Sequence, residues 1–578
     1  MKKLISIVLL ILLCVWSLYD QTSGFDFLRL DDHDYTFRCL FVRDGLSAEN
    51  VAESFTNLRH AGVWMPATYI SYMADISLFG NGMGPHHTVN VALHSLNAVL
   101  LFFLLLALSR CVAPPAEGTR PSLLVPTLAA LFWALHPQRV EAVAWIAGRK
   151  DVLCCTFTLA GLLCWLRPTW GGRLGAALCG VLACLSKPTG MCYPVLLFAV
   201  DLLRGRLRGL GRGDFAVYGS TLLMGVLTGG IAMYSQTHPE GHLVRELFTT
   251  SFPWRVLNAL VATGLDLSQL VVPLGLHLDY RAVPGQFPLQ GVQGLVALFV
   301  AASAAGFAAW RFPRVRRPLA ALLLFFFATL VPTLGIFGSF GEHARADRFL
   351  YLPMLAVSLA AIWWRPSRTR LVGWLGGVLV LALAVVSWPL VSSYRNDFTA
   401  FSRTLALDPD HGRALAHVAS EECARNHIDQ GIDLYRRSQQ LRPRDDTASQ
   451  LAYALMLRAR TEDHAEIRQL CSKFACDHSL DRKGQALEAL GMIAMRQRRW
   501  AEAISCLEDS IKAPARFYTS DDAFFNLACC YTNVKRADDA IAVFERLAQS
   551  RRKDIAGRAN EALVKLKANP RARLSPQD

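Results

Sequence analysis

Charged and polar side chains in this chain recur at the edges of long apolar runs, and their types suggest chemistry. Leu30-Asp31-Asp32-His33-Asp34-Tyr35 follows the first run. Adjacent carboxylates repel, so one can keep a raised pKa and act as a general base near neutrality; a helix N-cap or acidic turn is the bland alternative. His86-His87-Thr88-Val89-Asn90 enters the second run, where a His pair suits an anion, a metal or interfacial packing. A third string runs His136-Pro137-Gln138-Arg139-Val140-Glu141 through Trp145 to Arg149-Lys150-Asp151. Pro137 fits the first turn of a helix, on which Glu141, Trp145 and Arg149, four apart, form one stripe. An acid, an aromatic ring and a base on one face can cradle a sugar and a phosphate. A surface helix with a weak Glu–Arg pair would look the same. Lys187 interrupts an apolar stretch, and Arg345 and Asp347-Arg348 open another. A lone cation there is costly without an anionic partner, and such cations suit a lipid phosphate.

These residues need elements that hold them at a membrane face, and the composition supplies them. The chain has 578 residues, 53% hydrophobic and only 18% charged. Soluble proteins carry roughly a quarter charged residues, so an ordinary soluble fold is excluded, as are disorder and a small disulfide scaffold. The net charge of +14 would suit nucleic acid, yet the arginines cluster between apolar runs, where the positive-inside rule puts them. Long runs cover 4–19, 89–108, 215–235, 289–310, 318–337 and 371–391; shorter ones cover 122–135, 152–166 and 349–364. The stretch 174–201 reads as two short spans meeting at Ser186-Lys187-Pro188. The segment 254–276, with Asp266 and Gln269, reads as interfacial or re-entrant. With Lys2 and Lys3 inside, about eleven spans put the clusters at Arg110/Arg120, Arg167/Arg173, Arg204–Arg212, Arg311–Arg317 and Arg365–Arg370 on one side. The first run lacks a small-x-small cleavage site and is expected to stay as an anchor.

After Tyr394 the chain becomes charged and helical in pattern, so residues 1–393 read as a membrane domain and 394–578 as a helical tail. Residues 412–445 and 521–554 share a 34-residue pattern, with Ala419, Gly431, Tyr435 and Pro443 in the first and Leu527, Ala528, Tyr531, Ala540 and Phe544 in the second. Leu487, Gly491, Trp500, Ala503 and Leu507 supply another copy, and Ala454 and Leu470 a degenerate one. This resembles tetratricopeptide repeats, which bind a partner protein or serve as spacers. The fifteen cysteines show no framework spacing, and free buried thiols are expected, with a Cys471–Cys476 bridge the one alternative.

Taken with Leu78-Phe79-Gly80, these strings and the tail resemble the transmembrane and tetratricopeptide-repeat containing O-mannosyltransferases and their bacterial relatives. The resemblance implies an all-α chain: a polytopic membrane domain of the GT-C glycosyltransferase fold, then a repeat solenoid outside the cytoplasm. It implies transfer of a mannose-type sugar from a polyprenyl-phosphate donor to Ser/Thr hydroxyls of exported proteins; the residues themselves suit an inverting, metal-independent reaction with no cofactor, and a divalent metal is the open alternative. The outer-loop carboxylate is the family's catalytic position, so Asp32 or Asp31 is the expected base. Glu141, His136, Arg149, Lys187, Arg348 and His87 are expected to bind substrate, and the repeats to hold the protein acceptor. Two departures stand out: Met65 where relatives show Arg or His before the proline, and a short repeat array. A bacterial inner membrane, with the N-terminus cytoplasmic, is the expected location. The competing readings are a non-enzymatic membrane scaffold that recruits partners through the repeats, and a transporter. A scaffold would need one anchor only, and a transporter would put its charges near the midplane.

Overall fold

A computed structural model describes residues 1–58, 60–112, 122–237, 251–280, 289–336, 345–364, 368–458, 460–475, 480–512, 521–550, 552–570 and 572–574. Among these residues every regular element is helical. The chain divides into two compact units, Met1–Leu407 and Asp408–Asp578.

In the first unit, helix α1 (Lys2–Tyr19) leads into a loop region built of the short helices α2 (Asp32–Tyr35), α3 (Leu40–Arg43) and α4 (Ala48–Thr56) and the longer α5 (Pro66–Phe79). Backbone and carboxylate bonds pin this region: Arg29 N donates to Asp397 Oδ1 at 2.8 Å, and Asp26 N to the Arg395 carbonyl at 2.8 Å. Helix α6 (Met83–Val112) is the spine. At 1.5 Å per residue its 30 residues reach about 45 Å. Along it runs a stripe of Asn90, His94 and Asn97, at helical spacing and all fully buried. A buried polar group must find partners, and these find them on other elements. Asn90 Nδ2 donates to the Trp145 carbonyl at 3.0 Å, and Asn97 Nδ2 to the Val152 carbonyl at 2.9 Å. His94 Nε2 lies 3.0 Å from the Ala134 carbonyl, so it carries the proton and Nδ1 accepts from the Tyr351 hydroxyl at 2.6 Å.

Helices α7 (Leu124–Leu135), α8 (Val140–Ala144) and α9 (Arg149–Trp165) follow, then α10 (Trp170–Ser186) and α11 (Tyr193–Arg204). The last two meet at the polar break read from Ser186-Lys187-Pro188: Lys187 is extended and Pro188–Cys192 forms a 3-10 turn. Helices α12 (Arg212–Thr237), α13 (Phe252–Val271), α14 (Leu289–Arg311), α15 (Arg316–Leu330), α16 (Met354–Ala360), α17 (Thr369–Ser393) and α18 (Asp397–Leu407) complete the unit. Helix α13, the segment expected to be interfacial or re-entrant, is one unbroken helix. It packs tightly on α14, because a Cβ on Gly264 would lie 1.7 Å from the Gly294 carbonyl.

Six helices among the described residues are long and apolar enough to cross a membrane, with mean hydropathies from 1.5 to 2.3. Leu124–Leu135, Trp170–Ser186 and Met354–Trp363 are shorter apolar helices. The chain is a multi-pass membrane protein.

The second unit is a row of helix pairs: Gly412–Ala424 with Ile428–Leu441, Asp445–Arg458 with His464–Ala475, Leu480–Arg496 with Trp500–Lys512, and Asp521–Asn533 with Ala537–Leu547. Lys553–Ala568 closes the row. The pattern residues Ala419, Tyr435, Ala503, Leu507, Ala528, Ala540 and Phe544 are all buried. The other fourteen cysteines are free thiols, whereas Cys476, and with it the Cys471–Cys476 alternative, lies outside the described residues.

Candidate active site

The string from His136 to Asp151 folds differently from the single helix expected of it. Pro137–Arg139 is a 3-10 turn, α8 stops at Ala144, and Trp145 is extended at φ −87°, ψ 128°. A second 3-10 turn, Ile146–Gly148, precedes α9. The break at Trp145 destroys the four-residue stripe, so Arg149 leaves the face that Glu141 and Trp145 share. Gly148 permits the turn, because a Cβ there would lie 2.2 Å from the Ala142 carbonyl oxygen.

Arg149 enters a buried network of its own. It donates to the Asn90 side-chain oxygen, to Asp75 at 2.8 Å and to the His86 carbonyl at 2.7 Å, with the Tyr72 ring 4.9 Å away. His86 Nδ1 is 2.8 Å from the same Asp75 carboxylate. Arg149 therefore ties α5, α6 and α9 together.

Three ion pairs gather instead around Trp145 and Phe349. Arg348 pairs with Glu141 through its guanidinium and its backbone N–H, the latter at 2.8 Å. Lys187 pairs with Asp151. Lys150 reaches Asp31 at 3.2 Å and the Tyr35 hydroxyl at 2.9 Å. One indole serves two of the cations: Arg348 lies 4.9 Å and Lys150 5.9 Å from the Trp145 ring centre. The Phe349 ring is 5.1 Å from Arg348 and 5.6 Å from Lys187. Such contacts add roughly 0.5–2 kcal/mol each and fix where the charges point. The pairs differ in exposure: the Glu141 side chain is 0% exposed and that of Asp151 6%, against 40% for Asp31. Asp151 Oδ2 is buried and meets no donor among the described residues, which leaves an acceptor for a ligand hydroxyl.

Asp32, next to Asp31 in sequence, is fully buried. Its Oδ2 accepts from Leu28 N at 2.9 Å and its Oδ1 from Ala147 N at 2.8 Å, so it fastens the first loop to the Ile146–Gly148 turn. Burial pushes its pKa up to about 8, against the pull of those two amides. Asp31 and Asp32, adjacent in sequence, thus face different surroundings. His87 is also buried, edge-on to the Phe25 ring at 6.0 Å. His136 sits apart: Nδ1 accepts from Gln138 N at 3.2 Å, capping the turn, and Nε2 donates to the Leu270 carbonyl at 3.1 Å. Burial, helped by Arg139, holds it neutral with a pKa down to about 3. Met65 is fully buried before Pro66.

Of the residues singled out from sequence, then, Asp31, Glu141, Lys187 and Arg348 converge, Asp32 ties the first loop to the Ile146–Gly148 turn, His87 packs on Phe25, and Arg149 and His136 bond to other protein groups. Lys150, Asp151 and Tyr35 belong to the cluster without having been singled out. Among the described residues no three His, Cys, Asp or Glu side chains gather as a metal site.

Comparison with known proteins points the same way. Residues 486–516 match the tetratricopeptide repeat family. Protein O-mannosyl-transferase Tmtc1 of Drosophila melanogaster is 28% identical over 190 residues, 28% of this chain and 21% of that protein. Protein O-mannosyl-transferase TMTC2 of Homo sapiens is 32% identical over 148 residues, 24% of this chain and 16% of its own length. For the human TMTC4 the figures are 35% over 104 residues, 17% and 14%. The matches thus span about a fifth or less of these curated relatives. With the apolar helices and the repeat tail, they fit the family of transmembrane and tetratricopeptide-repeat containing O-mannosyl-transferases that the motifs resemble.

Proposed function

We propose that this protein is a membrane glycosyltransferase that moves a mannose-type sugar from polyprenyl phosphate to Ser/Thr hydroxyls of exported proteins, with inversion. One observation carries the reading: cations and carboxylates from distant loops converge at one end of an apolar helix bundle, beside the part-exposed Asp31. A hydroxyl is a weak nucleophile, so a base must take its proton as it attacks the anomeric carbon. Asp31 is better placed than Asp32, whose two oxygens are occupied by backbone amides in a fully buried position. Negative charge grows on the departing phosphate, and preorganised cations lower its energy most where water is scarce. Lys187 and Arg348 supply that charge. Glu141 spends both oxygens on Arg348, so its part is to aim the guanidinium rather than to hold the sugar. Asp151 Oδ2 would take a sugar hydroxyl. The repeats would hold the acceptor polypeptide, and the apolar helices the prenyl tail. No cofactor or metal enters this scheme.

The test is transfer from polyprenyl-phosphate mannose to a Ser/Thr peptide by the purified full chain in detergent, read by mass spectrometry. Asp31→Asn should lower kcat by about 10²–10⁴ while the protein still inserts and elutes as the parent does. Transfer that survives in both the Asp31→Asn and Asp32→Asn variants would reject the base; no transfer by the parent would reject the activity.

A further inference from the structure

The three cations of the cluster are each paired at rest, so a carboxylate offsets part of the charge that each can offer a departing phosphate. Glu141 and Asp151, the partners of Arg348 and Lys187, take up no proton in the scheme above. Lys150 differs. Its partner Asp31 is the one carboxylate of the three with a part-exposed side chain, 40% exposed, and in that scheme it takes up a proton. Lys150 is itself only 8% exposed. Its ammonium lies 2.9 Å from the Tyr35 hydroxyl and 4.5 Å from the Tyr35 ring centre. It would therefore stay in place when its ion pair dissolves. Its other charged neighbours are Arg348, Lys187 and Asp151, so the liberated charge adds to the two cations beside it.

We propose that Lys150 transfers its charge from Asp31 to the leaving phosphate, which couples acceptor deprotonation to departure of the lipid. This rests on the transferase reading above. As the acceptor oxygen bonds to the anomeric carbon, its proton passes to Asp31, and the bond from that carbon to the phosphate oxygen breaks. The electron pair leaves on the phosphate, which gains one negative charge. Asp31 loses one at the same moment, so the ammonium changes partner without a change in the net charge of the site. At rest the Lys150–Asp31 pair keeps the site from gripping spent polyprenyl phosphate too tightly.

Binding tests this without turnover. Polyprenyl phosphate, the bare leaving group, is titrated onto the purified full chain and three variants: Asp31→Asn, Lys150→Met and the double variant. Asparagine mimics the protonated, uncharged Asp31. Asp31→Asn should bind polyprenyl phosphate at least about fivefold more tightly than the parent, since Lys150 then has no carboxylate to offset its charge. In the Lys150→Met background the same change should give no gain, and a Lys150→Arg background should restore it. An equal gain with and without Lys150 would mean that removing a repelling carboxylate is all that matters, and would overturn the proposal. So would no gain in Asp31→Asn. If the parent and all variants fail to bind polyprenyl phosphate, the donor reading falls and takes this inference with it. Elution and melting temperature of each variant in detergent separate these outcomes from misfolding, and Lys150→Arg serves as the test cation should Lys150→Met fail to fold.

Discussion

At the scale of single residues, neighbours in sequence acquire different chemistry from their surroundings. Asp31 and Asp32 are one example, and Asp347 and Arg348 another. Arg348 turns to Glu141, whereas Asp347 is buried with the Tyr280 hydroxyl donating to its Oδ1 at 2.9 Å. Burial, and then the Glu141 charge, push its pKa up to about 8, against the pull of Arg345. The folded chain thus keeps a proton on Asp347 that the unfolded chain releases near its ordinary value of 3.8. The stabilisation linked to it is complete below that value and is lost as pH rises towards about 8. The apparent melting temperature in detergent should therefore fall between pH 5 and pH 8.5. Asp347→Asn, which cannot ionise, should make that slope shallower. An unchanged slope would place the titrating group elsewhere. Asp31, Glu141, Lys187 and Arg348 are legible in the sequence because an ionised side chain beside an apolar run is costly and stands out. Lys150 and Asp151 are harder to single out. They follow Arg149 directly in a run of three charges, each rotated about 100° from the last, and only the helix phase decides which faces the site.

That phase is set at the scale of elements. A continuous helix from Pro137 would have put Glu141, Trp145 and Arg149 on one side. The extended Trp145 and the turn Ile146–Gly148 instead restart the helix at a new angle. The break is stabilised from outside the segment: Asn90 takes the Trp145 carbonyl, the Tyr72 hydroxyl donates to the Ile146 carbonyl at 2.8 Å, and Asp32 takes Ala147 N. Local spacing cannot report partners contributed by residues so far away in sequence. Gly148 makes the break testable. A methyl group there meets the Ala142 backbone at 2.2 Å, and backbone cannot swing aside. Gly148→Ala should cost about 1–3 kcal/mol of stability, as overpacking does. It should also displace Lys150 and Trp145 enough to lower transfer at least tenfold. A variant with parental melting temperature and parental activity would show that the turn can relax, and would remove the geometric reason for a glycine there. In the tail the sequence is more informative, because each repeat folds against its neighbours in the row and the pattern of small and large residues is local.

At the scale of the whole molecule, the two ends of the membrane unit carry different charge. Helix α9 begins at Arg149 in the site region and ends at Trp165, and α10 returns from Trp170 to Ser186, next to Lys187. Each has 17 residues, a length of about 25 Å. At the far end Arg173 and Arg206 pair with Asp214 at 2.8 Å, and Arg317 donates to the Leu203 carbonyl at 3.2 Å. Arg173, Arg206 and Arg317, drawn from three of the arginine clusters that sequence parity places on one side, therefore gather at one end, and the site cluster lies at the other. Their separation approaches the thickness of a bilayer core, about 30 Å. If the positive-inside rule fixes the orientation, the site faces the exported side. Cys111, an exposed thiol next to Arg110 at the far end of α6, is a built-in probe of this. In intact cells a membrane-impermeant maleimide should leave Cys111 untouched and react with it once the membrane is opened. An added Ala48→Cys, exposed in the first loop region, should react in intact cells. Labelling of Cys111 from outside would invert the topology, expose the site to the cytoplasm and exclude exported polypeptides as its acceptors.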